Sequence, residues 1–368
     1  MRVPLVDLAV QYQTIKDNID KAIAAVIAES AFIGGKYVKE FEEQFASLYG
    51  VKHAVSCANG TDSLYIIMKM LGIGDGDEVI TVANSWISSS ETISQTGAKP
   101  VFLDVHPEYY SLDETQLESK ITNRTKAVIA VHLHGQVCDM DSVQSICNSR
   151  GIYLIEDCAQ SHFSEYKGKR AGLFGIAASF SFYPGKNLGA YGDAGCIITN
   201  DDVLATKCTM YARHGALKKH QHEMEGINSR MDGLQAAILS AKLPYILDWT
   251  ARRIANAALY DKYLKNIEGI VLPTVRPGTK HSYHLYVIRT ARRDALATYL
   301  KEQGIETAIH YPKALPNLEA YKYLGHIPSD FPIASRLQNE VLSLPMYPEL
   351  TEDMIKYIAD TISGFVKK

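Results

Sequence analysis

Apolar positions fall first into two helical stripes. Ile15, Ile19, Ala22, Ile23, Val26 and Ile27 recur at helical spacing across 14–29. Val38, Phe41, Phe45 and Leu48 do so in a second stretch, which Gly50 closes in the C-cap role. From residue 53 the period changes. His53–Cys57, Glu78–Val82, Pro100–Val105, Lys126–His132 and Ile152–Glu156 read as short strands. Ser63–Leu71, Ser85–Thr96, Leu112–Ile121 and Met140–Arg150 read as the helices between them. Strands alternating with helices predict parallel strands joined by right-handed crossovers. The runs 128–131 and 152–155 are apolar throughout, as strands are when helices cover both faces of a sheet. Ser179–Tyr183 and Gly195–Thr199 add two strands, Leu204–Arg213 a helix, and 232–263 a long helical stretch interrupted at Pro244. After the turn residues Pro273, Pro277 and Gly278 the pattern differs. His281–Arg289 alternates like a half-buried strand, Ala291–Gln303 is a helix, Ile305–His310 a strand and Glu352–Phe365 the last helix. This predicts a large α/β domain, 1–250, followed by a smaller C-terminal α+β domain, 251–368, with no internal repeat.

Composition narrows the class. With 368 residues, 46% of them hydrophobic and 21% charged, the chain can bury a large core. A net charge of -3, with lysines and arginines dispersed, argues against a nucleic-acid partner. The six cysteines, at 57, 138, 147, 158, 196 and 208, form no C-x-x-C pair and read as reduced thiols. With no basic-then-apolar N-terminal segment and no apolar run long enough for a bilayer, the reading is a cytoplasmic protein with no membrane partner and no metal.

Ligands of such sheets bind beyond the carboxyl ends of the strands, so chemistry is sought there. The stretch Ser179–Gly189 runs a strand into a turn at Pro184-Gly185 and presents Lys186. A desolvated lysine loses its proton more readily and can form a Schiff base with an aldehyde cofactor; a surface lysine after a turn is the plain alternative. Asn59-Gly60-Thr61-Asp62 opens a helix where backbone amides can approach an anion, although Thr61 also suits a simple cap. Glu156 and Asp157 end a buried strand, and alternation turns only one of them to a site. That carboxylate suits a pyridinium nitrogen; a metal or a salt bridge are the other readings. Trp86 follows another strand and could stack on a planar ring or belong to the core. In this order the four features describe a pyridoxal phosphate site.

The sequence resembles the DegT/DnrJ/EryC1/StrS sugar aminotransferases, which are fold-type I pyridoxal phosphate enzymes. The resemblance rests on Asn-Gly-Thr-Asp at 59–62, Gly-Ala-Lys-Pro-Val-Phe at 97–102 and Thr-Lys-Ala-Val-Ile-Ala-Val-His at 125–132. It continues in Glu-Asp-Cys-Ala-Gln at 156–160, Ser-Phe-Tyr-Pro-Gly-Lys-Asn-Leu-Gly at 181–189 and Gly-Asp-Ala-Gly at 192–195. Asn-Ser-Arg-Met-Asp at 228–232 and His-Tyr-Pro at 310–312 complete it. It implies a large domain with a mostly parallel, mixed sheet flanked by helices, and a smaller C-terminal α+β domain. Lys186 would carry the cofactor, pyridoxal 5′-phosphate, and move the substrate proton. Asp157 would pair with the ring nitrogen, Gln160 contact the ring hydroxyl side, and Trp86 stack on the ring. Gly60, Thr61 and Ser181 would hold the phosphate, with Asn228 reaching it from a neighbouring subunit in a cytoplasmic homodimer that shares its active sites. His162, Tyr183, His310 and Tyr311 would face the substrate.

The implied reaction moves an amino group from L-glutamate to a nucleotide-linked keto-deoxyhexose, by ping-pong kinetics. The lysine stretch is most similar to the branch acting at C3, hence a dTDP-3-keto-6-deoxyhexose and amino sugar biosynthesis for surface polysaccharide, lipopolysaccharide O-antigen or glycoside. Amination at C4 of a UDP-, GDP- or dTDP-4-keto sugar is the alternative. Lys313-Ala314-Leu315-Pro316 and Ser161-His162-Phe163 depart from the family pattern on the sugar side. A sugar 3-dehydratase would replace Lys186 with histidine. A non-catalytic regulator would need neither Lys186 nor Asp157. A nicotinamide oxidoreductase would need G-x-G-x-x-G after the first strand, where 57–61 reads Cys-Ala-Asn-Gly-Thr.

Overall fold

The computed structural model describes residues 1–367. Its centre is a seven-stranded sheet: β1 (His53–Cys57), β2 (Glu78–Val82), β3 (Lys99–Leu103), β4 (Thr125–Val131), β5 (Tyr153–Asp157), β6 (Ala177–Ser181) and β7 (Gly195–Thr199). The spatial order is β1-β7-β6-β5-β4-β2-β3. β2 pairs in parallel with β3 and β4, β4 with β5, and β5 with β6. The sheet is mixed because β7 runs antiparallel to both β6 and β1. No helix separates β6 from β7, so the chain comes straight back after the lysine turn. β1 therefore joins the sheet only through β7, with His53 opposite Thr199 and Cys57 opposite Gly195.

The central strands are buried along nearly their whole length, as the helices on both faces require. Asn59, Asp113, Asp139 and Asp201 each cap the helix that follows by accepting a backbone N–H. One aromatic cluster, Phe41, Phe45, Tyr49, Phe163, Phe180 and Phe182, ties the helix Lys36–Tyr49 to the strand that leads to Lys186. All six cysteines are buried and unpaired.

A second core gathers Tyr260, Tyr286, Leu300, Leu344 and Ile358 around a two-stranded sheet, β8 (Tyr286–Arg289) against β9 (Val341–Leu344). It also takes in Val3 from the chain's beginning. The helix Ile246–Leu264 contributes to both cores, Ile246 and Trp249 to the first and Tyr260 and Leu264 to the second. No helix among the described residues is long and apolar enough to cross a membrane.

Five elements differ from the sequence reading. The 14–29 stripe is the helix Lys16–Ala28; a separate helix, Leu8–Thr14, precedes it, parted from it at Ile15, whose φ of -130° leaves the helical range. Two helices start elsewhere: one at Gly60, three residues before Ser63, the other at Ser88, three residues after Ser85. The 281–289 strand shortens to β8, because Ser282 and Leu285 give their N–H groups to the carbonyls of Gly135 and His134. Residues 305–310 make only isolated bridges, Ile305 to Val3 and Ala308 to Ser343.

Candidate active site

β6 delivers the chain to the lysine turn. Phe182 N–H donates to the Ala194 carbonyl, and the turn closes with Lys186 N–H on Tyr183 O at 2.8 Å. Gly189 is forced by packing, since a Cβ there would lie 2.2 Å from the Pro184 carbonyl oxygen. Lys186 lines a cavity of about 440 Å³ at the carboxyl ends of the parallel strands. Among the described residues its amine has neither a hydrogen bond nor an ion pair. Burial lowers its pKa from 10.5 to about 8, and the charge of Asp157 only partly restores it.

Asp157 and Glu156 part as strand alternation requires. Asp157 faces the cavity, where Oδ1 accepts from Ala159 N at 3.1 Å and Oδ2 from Ser89 Oγ at 2.8 Å. Glu156, wholly buried, points the other way. Its Oε1 accepts from Phe174 N (2.6 Å) and Gly175 N (2.7 Å). Its Oε2 accepts from Gly172 N (2.6 Å) and His132 Nε2 (3.0 Å). His132 Nδ1 accepts from Cys138 N–H, which places the ring proton on Nε2. Of the readings for this acidic pair, Glu156 takes the structural one.

Gly60 opens the helix Gly60–Met70 directly beside Ser181, where a Cβ would lie 2.7 Å from Ser181 Cβ. Thr61 Oγ1 and Ser88 Oγ share a hydrogen bond of 2.7 Å on the same wall. Two helices thus begin at this end of the cavity, with N–H groups free of intrahelical partners. The arrangement suits a phosphate.

The opposite side is aromatic and amide-lined. Trp86 is 59% exposed and lies 5.9 Å from Tyr311, centroid to centroid. Gln160 is fixed at both ends: Oε1 accepts from His134 N at 2.7 Å, and Nε2 donates to the Tyr311 hydroxyl at 2.9 Å. Tyr183 and His310 complete the wall, with His310 Nδ1 2.8 Å from Ser343 Oγ. Burial, reinforced by Lys186, depresses His310 to about 4, so the ring is neutral near pH 7.

Ten of the twelve residues expected at the site line this one cavity: Gly60, Thr61, Trp86, Asp157, Gln160, Ser181, Tyr183, Lys186, His310 and Tyr311. His162 does not, which corrects the substrate-side expectation. The chain turns after Gln160 through Phe163, at φ 57°, and tucks the His162 ring between Phe180 and Phe182 at 5.4 and 5.6 Å. It is fully buried, and burial followed by the charge of Lys186 lowers it to about 3. Asn228 lies outside this cavity, exposed between half-buried Ile227 and buried Ser229 and bridged to Arg213.

Sequence reading missed Ser88 and Ser89, which line the cavity beside Asp157 and Thr61. The signal was present in Ser88-Ser89-Ser90, a run of hydroxyls where a helix N-terminus meets a strand end. It also missed Asp193, on the wall after the lysine turn.

Residues 13–363 match the model of the DegT/DnrJ/EryC1/StrS aminotransferase family. The chain is 43% identical to a protein of Geobacillus stearothermophilus named pleiotropic regulatory protein, over 100% of this chain and 99% of that one. It is 42% identical to the UDP-2-acetamido-2-deoxy-3-oxo-D-glucuronate aminotransferase of Pseudomonas aeruginosa, over 98% and 100%. It is also 42% identical to the dTDP-3-amino-3,6-dideoxy-alpha-D-galactopyranose transaminase of Aneurinibacillus thermoaerophilus, over 99% of each. The crystal structure of S. venezuelae DesV in complex with a ketimine intermediate superposes at a TM-score of 0.97 with 38% identity, covering 100% of this chain and 99% of that one.

Proposed function

The chain belongs to the DegT/DnrJ/EryC1/StrS aminotransferase family, and from that premise we propose that it transfers the amino group of L-glutamate to C3 of a nucleotide-linked keto-deoxyhexose, a dTDP-3-keto-6-deoxyhexose being the preferred acceptor. Pyridoxal 5′-phosphate is the cofactor of this aminotransferase fold. The residues fit it. An amine without a partner shares the cavity with a carboxylate, and a side chain on Gly60 would fill the cradle where two helices begin. The pairing of Lys186 with Asp157 in one cavity is the observation that carries the reading.

When bound, the cofactor supplies an aldehyde for an amine to condense with and a ring that takes up the electron pair left when a substrate carbon loses its proton. Lys186, with its pKa lowered by burial, offers its neutral amine to that aldehyde more readily than a surface lysine does. Its Nζ then takes the proton from the donor's α-carbon and returns it, serving as base and acid in turn. Asp157 would accept a hydrogen bond from the protonated ring nitrogen. Gly60, Thr61 and Ser181 would hold the phosphate, Trp86 would cover a ring face, and Gln160 would contact the ring hydroxyl side, all of them lining the one cavity. Tyr183, His310 and Tyr311 face the sugar, and the neutral His310 does so without adding charge.

In this reading Asn228 completes the phosphate site of a second copy in a homodimer, a role that its exposed position supports. The relatives named for dTDP-3-amino and UDP-3-oxo sugars support amination at C3 and leave the nucleotide to experiment. Cytoplasmic biosynthesis of an amino sugar for surface polysaccharide or O-antigen is consistent with six unpaired thiols. The relative named as a regulatory protein favours a second reading, a non-catalytic role. One experiment separates them. Purified protein loaded with pyridoxal phosphate is given L-glutamate, and its visible absorbance is followed; a panel of dTDP- and UDP-linked 3-keto and 4-keto sugars comes next. Loss of the visible band with glutamate, and its return with a 3-keto sugar, is the expected result. A band that glutamate leaves unchanged overturns catalysis, and return only with 4-keto sugars overturns C3.

A further inference from the structure

Asp157 has an unusual support for a buried carboxylate. Among the described residues it has no Lys or Arg partner within salt-bridge distance, and its donors are Ala159 N and Ser89 Oγ. Ser89 is itself paired with Ser85, Oγ to Oγ, at 2.8 Å, and both serines are buried and line the cavity. The direction of the pair follows from chemistry. A carboxylate only accepts, so the Ser89 proton is committed to Asp157 Oδ2. Ser89 can then only accept from Ser85, whose proton must point inward. The result is a directed relay, Ser85 O–H to Ser89 O–H to Asp157, set by the i,i+4 spacing of residues 85 and 89.

We propose that Ser89, backed by Ser85, is a positioning residue that fixes Asp157 Oδ2 and keeps the shared proton on the cofactor's ring nitrogen rather than on the carboxylate. This rests on the pyridoxal phosphate reading above. A hydroxyl that accepts a hydrogen bond becomes a stronger donor, so Ser85 strengthens the bond from Ser89. A donor aimed at a carboxylate favours its ionised form, and an ionised Asp157 makes the ring the stronger electron sink. Each carboxylate oxygen receives one donor, which leaves a lone pair on each for the cavity. The charge of Asp157 is felt by Lys186, Tyr311 and Cys158. None of them donates a hydrogen bond to its carboxylate.

The test compares wild type with Ser89→Ala, Ser89→Thr and Ser85→Ala, each prepared without cofactor and checked for an unchanged circular dichroism spectrum. Two quantities are read: the dissociation constant for pyridoxal phosphate, and the pH midpoint of the loaded protein's visible absorbance. Ser89→Ala is expected to bind the cofactor about tenfold more weakly, the scale of one hydrogen bond to a charged group. Its pH midpoint moves upward, because a less cationic ring repels the proton at Lys186 less. Ser89→Thr restores both values toward wild type. Ser85→Ala shifts both in the same direction by less, and it decides the matter if Ser89→Ala does not fold. Variants that match wild type in affinity and pH midpoint overturn this inference. Wild type that takes up no pyridoxal phosphate overturns the functional reading beneath it.

Discussion

Glu156 and Asp157 are neighbours in sequence, yet their loss should fail in opposite ways. Glu156→Ala leaves four buried donors without an acceptor: the N–H groups of Gly172, Phe174 and Gly175, and His132 Nε2. Each stranded donor costs about 1–3 kcal/mol, so the sum is roughly 4–12 kcal/mol. That is comparable with the whole stability of a typical domain, about 5–15 kcal/mol, so Glu156→Ala should not accumulate as folded protein. Glu156→Gln is the measurable variant. Its amide keeps one acceptor oxygen and turns an NH2 toward two of the four donors, which gives about 2–6 kcal/mol of destabilisation. Asp157→Asn strands no more than one donor and should change stability by about 1 kcal/mol. The assay is urea unfolding of the cofactor-free proteins, followed by circular dichroism and by cofactor uptake after dilution. Glu156→Gln should unfold at a clearly lower midpoint and, when folded, still take up cofactor. Asp157→Asn should unfold near the wild-type midpoint and take up cofactor weakly. If Glu156→Gln unfolds with wild type, the four-donor network does not carry the load assigned to it.

Other perturbations test the site directly. Lys186→Ala should abolish the visible band of the loaded protein and all amino transfer, measured by absorbance and by glutamate consumption. Because the folded pKa of Lys186 is about 8 rather than 10.5, the cofactor-free protein should form that band faster as pH rises through about 8. Across the same interval, up to 10.5, the unfolded chain holds a proton that the folded one has lost, so the cost of burying this lysine shrinks as pH rises; the urea midpoint of wild type should rise relative to that of Lys186→Met between pH 8 and 10.5. Gly60→Ala sets a methyl group 2.7 Å from Ser181 Cβ and should weaken cofactor binding at a cost of about 1–3 kcal/mol, measured by titration. His162→Leu keeps an apolar fit between Phe180 and Phe182 and should leave the KM for the sugar nucleotide unchanged.

Much of the site could be read from short-range pattern. The lysine turn announces itself through Pro184 and Gly185, and alternation at a strand end separates Glu156 from Asp157 without any knowledge of the sheet. Gly60 and Thr61 follow a strand and open a helix, a local signature. What could not be read depends on distant chain segments. The antiparallel run of β7 is fixed by a return after the lysine turn, not by any period within 195–199. The irregular path at 281–285 answers to carbonyls of Gly135 and His134, far away in sequence. His162 looked like a site residue because the resemblance puts Ser161-His162-Phe163 on the sugar side. A positive φ at Phe163 and two aromatic rings turned it inward. Ser89 was missed although its run of hydroxyls is visible, because its partner, Asp157, lies 68 residues away at the end of a strand.

The place of β7 also sets the order in which the molecule can be assembled. During synthesis β2, β3, β4 and β5 emerge in succession and can pair with one another at once. β1 emerges before all of them but has no neighbour until β7 follows. The turn that carries Gly60 hangs from β1, and its close-packed neighbours are Ser181 at the end of β6 and Gly195 at the start of β7. Such long-range pairing forms late, because the intervening loop must be closed first. The phosphate cradle is therefore among the last parts of the large sheet to take shape, and a nascent or truncated chain ending before residue 195 should retain no cofactor. In this protein, capture of pyridoxal phosphate doubles as a certificate that the sheet is complete.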